Sequence, residues 1–316
     1  MSETKNVSEQ HMASKAIFIL LLACSALPFV TPPIALFMGI LFALFFQPVF
    51  PTFTKKTQKY LLQGCVVGLG FGMNVQEALK SGGRGMCFTI VSVVFVMCFG
   101  WLVGRLLKVE RRSSYLISTG TAICGGSAIA AVGPLVEAED RQMTVSLGTI
   151  FTLNAIALFI FPPIGHALGL SQIQFGEWAA IAIHDTSSVV GAGAAYGDQA
   201  LEVAALVKCT RALWILPLAL VTMAIWHRKG SKVSVPWFIF LFALAMILNT
   251  YCGFPKGLTK GIASVAKQGF AVTLFLIGTG LTPKVLKSCG FRPLLQGIIL
   301  WIAIGVSSLL VITAAA

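Results

Sequence analysis

The sequence predicts an all-α polytopic membrane protein of about eleven hydrophobic segments, with inverted structural repeats and two broken or re-entrant segments. Three observations predict it. First, the mean hydropathy is +0.88, and only 11% of the 316 residues are charged, against roughly 25% in a soluble domain. Second, Lys and Arg fall in short clusters between apolar runs, as topology signals do. Third, two stretches rich in Gly, Ser and Thr, TGTAICGGSAIAAVG and AIHDTSSVVGAGAA, interrupt sequence otherwise suited to lipid.

Residues 1–15 read as a polar N-terminal tail, and 16–316 as a single transmembrane domain. The apolar segments are 16–30, 33–49, 60–76, 86–108, 115–135, 143–169, 177–197, 201–226, 236–251, 260–281 and 292–313. Leu21-Leu22-Ala23-Cys24 has a faint look of a lipoprotein cleavage box, but the apolar run after Pro32-Pro33 favours an uncleaved first helix. The densest basic loops carry Lys55, Lys56 and Lys59; Arg105, Lys108, Arg111 and Arg112; His227, Arg228, Lys229 and Lys232; and Lys284, Lys287 and Arg292. With all segments spanning, these loops share one face. The positive-inside rule makes that face cytoplasmic, with the N-terminus inside and the C-terminus outside.

The charge of +12 does not point to nucleic acid, because the cations are dispersed by topology rather than gathered along one face. The expected partner is the lipid bilayer, and homo-oligomerisation is open. Cys24, Cys65, Cys87, Cys98, Cys124, Cys209, Cys252 and Cys289 form no CxxC pair, so neither a disulfide framework nor a metal site is expected. HExxH, GxSxG and GxxxxGK patterns are absent, which argues against an enzyme and against direct ATP drive. No cofactor is expected, while proton or sodium coupling stays open.

An internal repeat is present. GILFALFFQP from Gly39, a Lys-bearing loop and QKYLLQGCVVGLG resemble FLFALAMILN from Phe240, a Lys-bearing loop and SVAKQGFAVTLFLIG; Leu79-Lys80-Ser81 then matches Leu286-Lys287-Ser288. The two polar stretches also match, with Ile123–Gly133 set against Ile183–Gly193. If segments 115–135 and 177–197 are re-entrant hairpins opening to opposite faces, both matches reconcile into inverted, permuted halves, about 33–169 and 177–313.

Glycines cost about 1 kcal/mol each in a helix, and the backbone they free survives at membrane depth only inside protein or beside a water-filled cavity. Such breaks build substrate sites in secondary transporters. Lys208 and Arg211 share one helix face inside segment 201–226, with Arg211 near the midplane. Two cations beside Gly- and Ser-rich breaks suit a small anion, bound by Thr121, Gly125, Gly126, Ser127, Thr186, Ser187, Ser188, Lys208 and Arg211. A competing role for the cations is an internal ion pair with Asp185 or Glu202. His184 and Asp185 form a coupling or structural pair: a protonatable site, or an Asp185 cap on a half-helix. His166 reads as interfacial packing, Lys267 as snorkelling to the surface, and Asn74 and Asn154 as helix–helix hydrogen bonds.

TGTAICGGSAIAAVGPL with its trailing Glu-Ala-Glu-Asp, and IHDTSSVVGAGAAYG followed by Ala-Leu-Val-Lys-Cys-Thr-Arg, resemble the YeiH family of bacterial inner-membrane proteins, which are described as sulfate exporters. The resemblance covers most of the chain. It implies a multi-pass carrier of the cell inner membrane, distantly similar to inverted-repeat sodium/proton antiporters and bile-acid carriers. The family patterns fall on Gly125, Gly126, Ser127, His184, Asp185, Thr186, Ser187, Ser188, Lys208 and Arg211. The expected function is secondary-active transport of an oxyanion such as sulfate, or of an organosulfonate or carboxylate, by alternating access. The alternative is a cation/proton antiporter on the same scaffold.

Overall fold

The computed structural model describes residues 2–46, 49–226, 237–280 and 290–314. The basic run from His227 to Lys232, Lys284, Lys287 and the 286–288 half of the repeat match lie outside the described residues. Every regular element among the described residues is helical.

Helix α1 (Ser2–Ser25) runs unbroken from the polar tail into the first apolar segment. Helices α2 (Pro32–Phe45) and α3 (Pro51–Gly70) both start on proline, whose missing N–H is unneeded in a first turn. Helix α4 (Val75–Leu106) starts earlier than the apolar run from 86, because the Asn74 side chain accepts the Gln76 amide at 2.8 Å and sets the N-terminus there. Asn74 is thus a helix cap and not the expected interhelical bond. The chain continues through α5 (Arg111–Ala122), α6 (Gly126–Val132) with a 3-10 turn (Gly133–Val136), α7 (Asp140–Ala167), α8 (Gln172–Ala182), α9 (Thr186–Tyr196), α10 (Asp198–Ala212) and α11 (Ile215–Ile225). Helices α12 (Trp237–Tyr251), α13 (Lys256–Gly280) and α14 (Phe291–Ala314) complete it.

Five stretches among the described residues are long and apolar enough to cross a membrane: Thr89–Leu106, Asp140–Ala167, Asp198–Ile225, Lys256–Gly280 and Phe291–Ala314. Val94, Trp101, Leu220, Val265 and Leu310 each leave more than half of their surface uncovered, as residues facing lipid do. The chain is an all-α membrane protein. Where helices meet, small residues let backbones approach: a Cβ on Gly39 would lie 2.2 Å from the Phe275 carbonyl and 2.9 Å from the Gly278 Cα.

Segments 115–135, 177–197 and 201–226 are each split into two helices. The third split, at Leu213-Trp214, is explained by Pro217, which cannot donate to the Leu213 carbonyl. The first two are hairpins. Arg112, in the first turn of α5, pairs with Glu137 beyond α6 at 3.6 Å, and Leu116 packs with Val132 and Val136. A straight crossing would separate residues 112 and 137 by roughly 37 Å. Likewise, the Tyr196 hydroxyl donates to the Leu170 carbonyl at 2.5 Å, and Tyr196 stacks on Phe175 with ring centroids 3.8 Å apart.

Helix α7 leaves the open end of the first hairpin and ends beside the open end of the second, so the two open to opposite faces. Helices α10 and α11 return to the first face, where Trp226 meets Tyr115 and Arg111. Arg292 shares that face with Lys108 and Arg141. Around the hairpins, α2 packs on α13 and α12 on α3, while α4 flanks α5 and α14 flanks α8.

Candidate functional site

The two hairpin tips touch. Gly125, at the first tip, has φ +64°, and a Cβ there would lie 3.2 Å from the Asp185 Cβ at the second tip. Glycine is needed on both counts: the left-handed backbone and the close approach. The C-termini of α5 and α8 and the N-termini of α6 and α9 therefore converge inside the protein.

Helix ends leave carbonyls without intrahelical partners, and partial negative charge gathers there. Lys208 and Arg211, both 0% exposed, meet these ends. The Lys208 ammonium donates to the Ala180 and Ile183 carbonyls of the second hairpin, at 3.2 and 2.6 Å. The Arg211 guanidinium donates to the Ala122 carbonyl of the first hairpin at 2.5 Å and to the Ser92 hydroxyl of α4 at 3.0 Å. One helix, α10, thus places a cation against each broken helix. Among the described residues no ion pair joins either cation to Asp185, so the Asp185 pairing considered from sequence is replaced by carbonyl contacts.

Asp185 instead caps α9: its carboxylate accepts the Ser188 amide at 3.1 Å and the Ser187 hydroxyl at 2.5 Å. These two donors, expected to face an anion, are already taken up by a carboxylate. Thr186 opens α9 half-buried. The His184 amide donates to the Asn154 side-chain oxygen of α7 at 3.0 Å. Asn154 therefore bridges a helix to the break, a refinement of its expected helix–helix role.

On the first hairpin, Thr121 is 0% exposed and Gly126 lies against Phe151, where a Cβ would come within 2.9 Å of the ring. Ser127 is not brought to the tip contact; it is exposed, although its partner in the internal match, Ser187, is buried. The Thr121 hydroxyl, Asn154 Nδ2, both His184 ring nitrogens and Arg211 Nε are buried without a protein hydrogen-bond partner. Ser92 was missed by sequence reasoning, since a lone Ser in an apolar run carries no signal. Away from the tips, His166 stacks on Tyr196, with ring centroids 4.2 Å apart, in keeping with a packing role. Lys267 pairs with Asp198 at 2.6 Å rather than only snorkelling.

The family model for conserved hypothetical protein 698 matches residues 12–297. The chain is 60% identical to a UPF0324 membrane protein of Bacteroides thetaiotaomicron over 283 residues, covering 89% of this chain and 86% of that protein. It is 57% identical to a UPF0324 membrane protein of Porphyromonas gingivalis, covering 88% and 86%. To the Photobacterium profundum protein named UPF0324 membrane protein PBPRB0970 it is 43% identical, covering 95% and 92%. No solved structure matches. The wider similarity to antiporters and bile-acid carriers therefore gains no support, whereas the YeiH-type resemblance fits these relatives. The chain belongs to the conserved hypothetical protein 698 family, together with these UPF0324 membrane proteins.

Proposed function

We propose that this protein is a secondary-active transporter of a small anion, without enzymatic activity, working by alternating access. The observation that carries the reading is the meeting of two re-entrant hairpins from opposite faces, Gly125 against Asp185, above two buried cations on one helix. Broken helices meeting at the midplane are the common architecture of carrier sites. Arg211 and Lys208 offset the carbonyl ends of α5 and α8, and Asp185 caps α9 at the same contact, beside donors that have no protein acceptor. Arg211 Nε, Asn154 Nδ2 and the Thr121 hydroxyl are donors with no protein acceptor. Such groups suit an oxyanion, whose several oxygens accept many hydrogen bonds. Sulfate, an organosulfonate and a carboxylate are the candidate substrates.

Unequal surroundings of matched elements support alternation. Gly191 of α9 packs toward Leu158, Leu274 and Pro32, and Ser187 and Val190 are buried. Ser127 and Ala130, the counterparts of Ser187 and Val190 in the first hairpin, are exposed, while Ala131, the counterpart of Gly191, is buried. An inverted pair in which one member is covered and the other open is one state of a two-state carrier. Helices α2 and α13 pack on α9, and moving that contact to the first hairpin is the motion this reading requires. This reading takes the membrane to be the bacterial inner membrane, and the positive-inside rule supports a cytoplasmic Arg111 and Arg292 face.

Asp185 at the tip contact favours a second reading, a cation/proton antiporter. The experiment that separates the two is flux in proteoliposomes. Saturable uptake of a labelled oxyanion supports the anion carrier. Sodium-driven proton movement with no anion flux supports the antiporter.

A further inference from the structure

At the open end of the first hairpin, three parts of the chain border a cleft of about 280 Å3: the α4–α5 turn, the start of α7 and the start of α14. Its charged lining is Lys108, Arg141 and Arg292 against one carboxylate, Glu110. Glu110 is already engaged, accepting from Arg141 at 3.2 Å and from Gln142. Three cations against one paired acid leave an excess of positive charge. Arg141 and Arg292 each sit in the first turn of a helix, where the macrodipole opposes a cation. Lys108 follows α4 at φ +54° and closes its C-terminus, the next amide, of Val109, donating to the Gly104 carbonyl at 2.9 Å.

The cleft also adjoins the lipid-facing surface. Leu106, two residues before Lys108, is 72% exposed, and Phe291, next to Arg292, is 78% exposed. Both belong to helices long and apolar enough to cross the membrane. A ligand reaching this cleft from the bilayer would set its phosphate among the cations while its chains lay along these apolar residues. We propose that the cleft binds the headgroup of an anionic phospholipid. Basic pockets between transmembrane helices recognise phosphate headgroups by this chemistry. The bound lipid would tie α14 to the hairpin entrance, and the proposal stands independently of what the protein transports.

The test titrates the detergent-purified full chain with dioleoyl phosphatidylglycerol or dioleoyl phosphatidylcholine and follows thermal unfolding. Saturable stabilisation by phosphatidylglycerol alone is expected, with Arg292→Gln weakening apparent affinity roughly five-fold. Lys59→Gln, an exposed cation away from the cleft, should leave affinity unchanged. If Arg292→Gln does not purify as a folded protein, Lys108→Asn takes its place, since Asn accepts positive φ readily. Equal stabilisation by phosphatidylcholine would overturn the proposal. So would equal weakening by Lys59→Gln, which would assign the effect to general surface potential. Saturable stabilisation by glycerol phosphate in water, matching that of the lipid, would overturn the lipid source and leave a soluble-anion site.

Discussion

Lys208→Met tests how the buried cation is held. The substitution keeps an unbranched side chain one atom shorter and removes two charge-assisted hydrogen bonds, to the Ala180 and Ile183 carbonyls. Bonds to charged groups contribute about 1.5–3 kcal/mol each, so about 3–6 kcal/mol is lost. Removing a charge from membrane depth returns about 2.5–3.5 kcal/mol on insertion scales. The difference is a loss of about 0–3 kcal/mol, which a polytopic protein should survive folded. Function should fare worse than stability, because the carbonyl end of α8 would then face the substrate site without a compensating cation. The assay pairs thermal unfolding in detergent with anion uptake in proteoliposomes. The expected result is a folded variant of slightly lower stability and uptake at the level of empty vesicles. A more stable variant with full uptake would refute the assignment of Lys208 to the α8 terminus.

Three further outcomes follow from the same geometry. Gly125→Ala should lose about 1–2 kcal/mol from its positive φ, plus a steric contribution from Asp185; Gly169→Ala, with φ +65° and nothing within 4 Å, should lose only the first part, so equal unfolding shifts would remove the tip contact from the account. Asp185→Ala should cost about 1 kcal/mol as a lost cap, while Asp185→Asn retains an acceptor and should unfold close to the parent; an unchanged pH dependence of transport in the Asn variant would dismiss a proton role for this residue. In a cysteine-free background, Ser127→Cys should react with a membrane-impermeant thiol reagent from one face and Ser187→Cys should not. Equal labelling of both would contradict the unequal closure of the hairpins.

The two breaks were legible because Gly125, Gly126 and the polar run from His184 to Ser188 are poor continuous helix in lipid. Re-entry was favoured by the internal match, and the Arg112–Glu137 and Tyr196–Leu170 contacts now carry it. Burial of Lys208 and Arg211 was legible from depth alone. Their partners were not, since a backbone carbonyl at a helix end has no residue signature, and Ser92 reaches Arg211 across 119 positions of sequence. The cap formed by Asp185 was one of two readings left open, and the geometry selects it without testing proton coupling. The exposure of Ser127 was illegible for a different reason: two matched segments read alike in sequence, and only packing of α2 and α13 against one of them makes their surroundings differ. The break before Pro217 was visible in principle, because proline cannot donate to the preceding turn.

The most direct measurement is flux of labelled sulfate, a simple sulfonate and a small carboxylate into proteoliposomes holding the full chain, beside Arg211→Met shown to be folded by size exclusion. The account predicts saturable flux of at least one oxyanion in the parent, and none above empty vesicles in the variant. Oxyanion flux of equal rate in parent and variant would contradict the role of Arg211, and sodium-driven proton movement with no anion flux would contradict the anion carrier itself.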